Sequence, residues 1–109
     1  MTDCELLELA AKAAGYSLSA VSDMIWSDAA VEYIPWNPLT DDGDALRLAV
    51  KLELEIRAFN GRAHAGKQNK FWCTEHWFPD GDVNAATRRA IVLAAAEIGK
   101  QIKGGQHDK

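Results

Sequence analysis

Three residues in neighbouring segments have the chemistry to bind a metal or form a nucleophile together: His64, Cys73 and His76. Cys73 and His76 have the C-x-x-H spacing seen in zinc sites. Zinc needs three or four N, S or O ligands arranged as a tetrahedron. These residues, however, lie in segments that read as strands, where successive side chains point to opposite faces. That alternation sends Cys73 and His76 to different sides. The same geometry argues against a Cys73 thiolate activated by a histidine. No catalytic constellation, cofactor motif or metal site is therefore expected.

Asp41, Asp42 and Asp44 form an acidic cluster. A calcium loop needs a longer ligand series closed by a glutamate, and none follows. Helix capping explains the cluster better, because carboxylates accept the free N–H groups of a first turn and suit its positive end. A second cluster is basic: Arg57, Arg62, His64, Lys67 and Lys70, beside Trp72 and Trp77. Cations interleaved with aromatics are a means of gripping nucleic acid. The formal net charge of −4 runs against that reading, since phosphate affinity needs concentrated positive charge. The aromatics make a third group. Trp26, Tyr33 and Trp36 sit near a Pro-Trp-Asn-Pro turn, and Trp72, Trp77 and Phe78 sit further on. Aromatic anchors commonly form the centre of a protein interface.

The elements that must position these residues follow from pattern. Thr2 and Glu5 have capping-box spacing. Leu6, Leu7, Leu9, Ala10, Ala13 and Ala14 give the first helix its apolar side, and Gly15 is its left-handed stop. Residues 16–34 read as two short strands, Tyr16–Val21 and a second one reaching Ile34, with a helix over 23–33 as the rival. Pro35 and Pro38 bracket a rigid turn, and Thr40 or Asp41 starts the next helix. That helix has a narrow polar stripe of Asp44, Arg47, Lys51 and Glu55, so it is expected at the centre of the domain. Leu52, Leu54, Ile56 and Ala58 then alternate with charged residues as a strand. Asn60-Gly61 is a strong hairpin signal. Residues 62–66 return, 67–70 turn, and 71–78 form a third strand. The last helix spans about 84–102, capped by Asp82 or Asn84, with Ile91, Ala94, Ala95, Ile98 and Ile102 inward and Arg88 and Arg89 outward.

The order is α-(ββ)-α-β-β-β-α. An antiparallel meander sheet with one apolar face needs helices to cover it. An α+β domain in a layered α/β/α arrangement follows, spanning residues 1–103, with 104–109 as a flexible tail. The 109 residues suit one domain, and 48% hydrophobic and 26% charged residues are ordinary for a soluble globular fold. Two cysteines, Cys4 and Cys73, make no disulfide framework. With neither a secretory signal nor a membrane-length apolar run, a cytoplasmic location is expected. Charge divides by halves. Residues 1–55 carry three Lys/Arg against eleven Asp/Glu, and residues 56–109 carry nine against five. Such asymmetry is that of halves facing each other or water, or of an interaction surface.

Three segments are similar to a known family. Residues 35–52, Pro-Trp-Asn-Pro-Leu-Thr-Asp-Asp-Gly-Asp-Ala-Leu-Arg-Leu-Ala-Val-Lys-Leu, resemble small tailed-phage and prophage proteins of the phage "ABA sandwich" family. So do residues 85–100, Ala-Ala-Thr-Arg-Arg-Ala-Ile-Val-Leu-Ala-Ala-Ala-Glu-Ile-Gly-Lys. The opening Glu-Leu-Leu-Glu-Leu-Ala-Ala-Lys-Ala-Ala-Gly is similar too. The resemblance implies helix, sheet and helix layers, and it transfers no catalytic residue. It leads to the expectation of a non-enzymatic accessory protein in the cytoplasm of a phage-infected host. That protein would bind a host protein, in the sharpest version inhibiting a defence complex such as a CRISPR effector. The expected contacts are Trp26, Trp36, Asp41, Asp42, Arg62, Lys67, Lys70, Trp72 and Trp77. The alternative is a nucleic-acid-binding module using the 57–70 hairpin. Self-association through an open strand edge is a further expectation.

Overall fold

A computed structural model describes residues 2–19, 24–59, 61–67, 70–76 and 81–105. Among these residues are three helices and five strands: α1 (Asp3–Ala14), β1 (Met24–Ser27), β2 (Glu32–Pro35), α2 (Asp42–Leu52), β3 (Glu55–Phe59), β4 (Arg62–Lys67), β5 (Lys70–His76) and α3 (Val83–Gly105). The class is α+β, in the order read from the sequence. β1 and β2 pair as a two-stranded ribbon, while β3, β4 and β5 form a three-stranded antiparallel meander.

Local chemistry sets the boundaries. Thr2 Oγ1 accepts from Glu5 N–H at 3.1 Å, and Glu5 Oε1 accepts from Thr2 N–H at 2.7 Å, completing the capping box. Gly15 ends α1 at φ +78°, where other residues are strained. Asp41 starts α2 by accepting the Asp44 N–H at 2.8 Å. The polar stripe of α2 runs on to Glu55, but the helix stops at Leu52. Glu53 turns left-handed at φ 58°, and β3 begins only at Glu55. Asp82 Oδ1 accepts from the N–H groups of Asn84 and Ala85, which opens α3.

The strand expected over Tyr16–Val21 shrinks to a bridge between Leu18 and Ile25. Trp26 N–H donates to Ser17 O, and Ser19 N–H donates to Met24 O. Residues 20–23 lie outside the described residues. The single second strand expected to reach Ile34 is instead two strands, β1 and β2, and the rival helix over 23–33 does not form over its described residues. β1 and β2 pair from Met24↔Pro35 to Ser27↔Glu32. The β3–β4 hairpin closes at Phe59↔Arg62. Gly61 has φ +76°, and Asn60 lies outside the described residues.

The centre of the molecule is α3, not α2. α3 packs on β3, β4 and β5, and also on α1 and α2. Ala86, Ala90, Ala94, Ala95 and Ala96 are buried along it beside Ile91 and Val92. Small side chains let its neighbours approach from several directions. Gly99 is the extreme case: a Cβ there would lie 2.1 Å from the Leu9 carbonyl oxygen of α1. By contrast, Leu46 and Val50 on the outer side of α2 are 59% and 68% exposed. The broad apolar surface of α2 is therefore only partly used. Ile102, expected in the core stripe of α3, sits at the surface, and that helix continues to Gly105.

Candidate functional site

The β4–β5 register places His64 and Cys73 on opposite faces of the sheet. In β4 and β5, His64 pairs with Thr74, and Ala65 with Cys73. His64 Nδ1 lies 2.9 Å from Thr74 Oγ1 on one face, and Cys73 packs against the core on the other. Burial pushes the Cys73 thiol up, Glu97 and Glu75 add in the same sense, and Lys100 opposes them. A protonated, half-buried thiol is a poor nucleophile. His76 pairs with Arg62 through its backbone, and its side chain is outside the described residues. Among the described residues, no group of three or more His, Cys, Asp or Glu could hold a metal ion.

The acidic cluster is structural. Asp41 caps α2. Asp42 meets Arg88 Nη1 at 2.6 Å, and Arg88 Nε donates to Leu39 O at 2.8 Å. One guanidinium thus ties the proline turn, α2 and α3 together. Asp44 is buried at 9% exposure. It accepts the Asn37 N–H at 2.9 Å and an Arg47 N–H at 2.7 Å, so it pins the turn to the helix. The sequence pattern puts Asp44 in the polar stripe of α2 and Arg88 outside the core stripe of α3. The helical spacing Arg88, Ile91, Ala95 puts Arg88 on the core side, and that signal could have found it.

Trp36 is not a surface contact. It is 4% exposed and packs edge-on against Tyr16, with centroids 5.6 Å apart at 83°. Lys51 Nζ lies over the same Tyr16 ring at 5.7 Å. Trp36 therefore plugs the core behind the proline turn, and its large apolar ring is better used there than in water.

Trp26 remains at the surface. It is 39% exposed and its cross-strand partner Tyr33 46%. Their rings meet edge-to-face at 5.3 Å and 78°. The Trp26 indole N–H donates to Asp28 Oδ1 at 2.8 Å, which fixes the ring. In the loop beyond, Val31 N–H donates to Ser27 O at 2.7 Å and Ala30 N–H to Ser27 Oγ at 3.1 Å. Val31 is 72% exposed and has φ 55°, a rare conformation for a β-branched residue. Between ribbon and α2 lies a groove of about 340 Å³ lined by Tyr16, Ile25, Trp26, Ile34 and Arg47 among others.

The other expected contacts are on the meander. α3 packs on one face of this sheet, against Ala63 and Ala65 of β4. The opposite face carries exposed Arg57, Arg62 and Thr74 and half-buried His64. Lys67 is half-buried and pairs with Lys70 across a register shift. The side chains of Lys70 and Trp72, and all of Trp77 and Phe78, lie outside the described residues. The structure thus brings Trp26 and Tyr33 together at one end and Arg57, Arg62 and His64 together on the sheet. Trp36, Asp41 and Asp42 belong to the scaffold.

No family model, curated protein or solved structure matches this chain. No helix among the described residues is long and apolar enough to cross a membrane.

Proposed function

We propose that this chain is a small protein-binding module that acts by surface fit, engaging a host protein through the β1–β2 ribbon. The exposed Trp26–Tyr33 pair carries the reading. Its rings are already held by each other and by Asp28, so little side-chain freedom remains to be lost on binding. Asp28 and Glu32 border the pair with negative charge, which favours a partner with a basic rim. The sequence resemblance to phage accessory proteins supports a host target, and a defence complex such as a CRISPR effector is its sharpest form. The test is capture from host lysate with the intact chain and with a Trp26→Ala/Tyr33→Ala variant. A host protein retained by the first and lost by the second is expected. Equal retention by both, or none by either, rejects the ribbon as the contact.

A second reading rests on Arg57 and Arg62, exposed on the face of the meander opposite α3, beside His64. It makes the chain a nucleic-acid-binding module. Binding would then weaken steeply with salt, and a gel with no shift at low salt dismisses it.

A further inference from the structure

Among the described residues β3 is an outer strand of the meander, paired with β4 alone. Its register fixes which backbone groups are left over. Only residues 60 and 61 join Phe59 to Arg62, so Phe59↔Arg62 is a hydrogen-bonded pair that closes a two-residue hairpin. Hydrogen-bonded and non-hydrogen-bonded pairs alternate in an antiparallel ladder. Arg57↔His64 and Glu55↔Gly66 are therefore hydrogen-bonded. Ile56↔Ala65 and Ala58↔Ala63 are not, so the N–H and C=O groups of Ile56 and Ala58 point away from β4. These four groups form an open template for another strand.

Beside that edge lies a shallow groove of about 280 Å³ whose lining includes Ala45, Leu46, Ile56, Ala58, Val83 and Arg88. Leu46, Ile56 and Val83 are exposed apolar residues. Glu55 and Arg57 flank Ile56 on the opposite face of the same strand.

We infer that a second copy of this chain adds to β3 antiparallel, two-fold about Ile56, making one continuous six-stranded sheet. Charge selects the copy as occupant and sets the register. Centred on Ile56, each Glu55 stands opposite Arg57 of the other copy, twice over, and Leu54 stands opposite Ala58. Shifted to the neighbouring centre, Arg57 faces Arg57, and like charges directly opposite are unfavourable. In the selected register the two Ile56 residues exchange both hydrogen bonds, and each Ala58 N–H reaches a Leu54 carbonyl. The Leu54 N–H is already donated to Ala49 O at 2.9 Å, so the ladder stops there. The two grooves meet side by side, bringing Leu46, Ile56 and Val83 of both copies into one apolar strip. This dimer does not depend on the ribbon as a binding site.

Sedimentation of the full chain over a concentration series tests the inference. A reversible dimer is expected. Glu55→Arg and Arg57→Glu should each weaken it roughly tenfold or more, because each replaces two attractions with two repulsions. The double reversal should return the affinity to near the starting value. A chain that stays monomeric at roughly millimolar concentration overturns the inference, and so does a folded double variant that recovers nothing. Cross-linking offers a second route in a Cys4→Ser background. Opposed residues of a hydrogen-bonded pair have Cα atoms about 5.5 Å apart, within disulfide reach. Ile56→Cys should therefore oxidise to a covalent dimer faster than Arg57→Cys, and the reverse order refutes the register.

Discussion

The stack of α1 on α3 and the β1–β2 ribbon represent opposite ways of using a short chain. In the stack, alanine and glycine bring backbones into contact, and both ends of α1 are capped by specific hydrogen bonds. In the ribbon, two large aromatic rings stand at the surface and lean on each other. The first arrangement leaves no room for added atoms. The second leaves apolar area uncovered, which a monomeric fold has no stability reason to keep. The contrast indicates where stability is concentrated and where binding can be sought. A residue that serves packing is intolerant of size, and a residue that serves contact is tolerant of removal until a partner is present.

Gly99→Ala should show the largest effect. The new methyl group would meet the Leu9 backbone, and backbone cannot swing aside. A loss of about 3 kcal/mol is expected from urea unfolding. Arg88→Met should follow. It keeps the aliphatic stem but removes the bonds to Leu39 O and Asp42, at a cost of about 2 kcal/mol by the same measurement. Thr2→Ala removes the cap of α1 and should cost about 1 kcal/mol.

The same cap has a pH signature. Hydrogen bonds from Thr2 hold the Glu5 carboxyl below its ordinary value. A carboxyl depressed in the folded state stabilises above its unfolded pKa and loses that contribution as pH falls through the folded one. The acid limb of a pH–stability curve should therefore flatten slightly in Glu5→Gln. The smallest effect on stability should come from the ribbon. Trp26→Ala/Tyr33→Ala should cost under about 1 kcal/mol, the scale of a cross-strand pair, while removing partner capture. A cooperative loss of several kcal/mol in that variant would place these rings among the packing residues and end the contrast.

Much of this was legible in the residues themselves. Thr2, Glu5 and Gly15 fix the limits of α1 by local chemistry alone. Asn60-Gly61 marks a hairpin whose flanking residues pair as expected. Alternation argues against a site shared by Cys73 and His76, but only the β4–β5 register shows that His64 lies on the face opposite Cys73. What was not legible depended on distant neighbours. Asp44 carries a charge and sits in the helix pattern as a surface residue, and only its place beneath the proline turn gives it the Asn37 N–H as a reason to be buried. Trp36 has the same composition whether it plugs a core or anchors a partner. Tyr16, twenty positions away, decides between them. α2 has the broader apolar pattern, but α3 became the centre because alanine admits close neighbours and leucine does not.

The close approach of Leu9 to Gly99 has a consequence for how the chain is made. These two positions come from opposite ends of the sequence. α1 leaves the ribosome well before α3 and has Leu6, Leu7 and Ala10 ready for burial, but the α3 surface that receives them is made only after all five strands. Until then that apolar face remains open to chaperones or to other nascent chains. Slow translation of α3 should therefore lower the yield of folded protein more than a delay between α1 and β5.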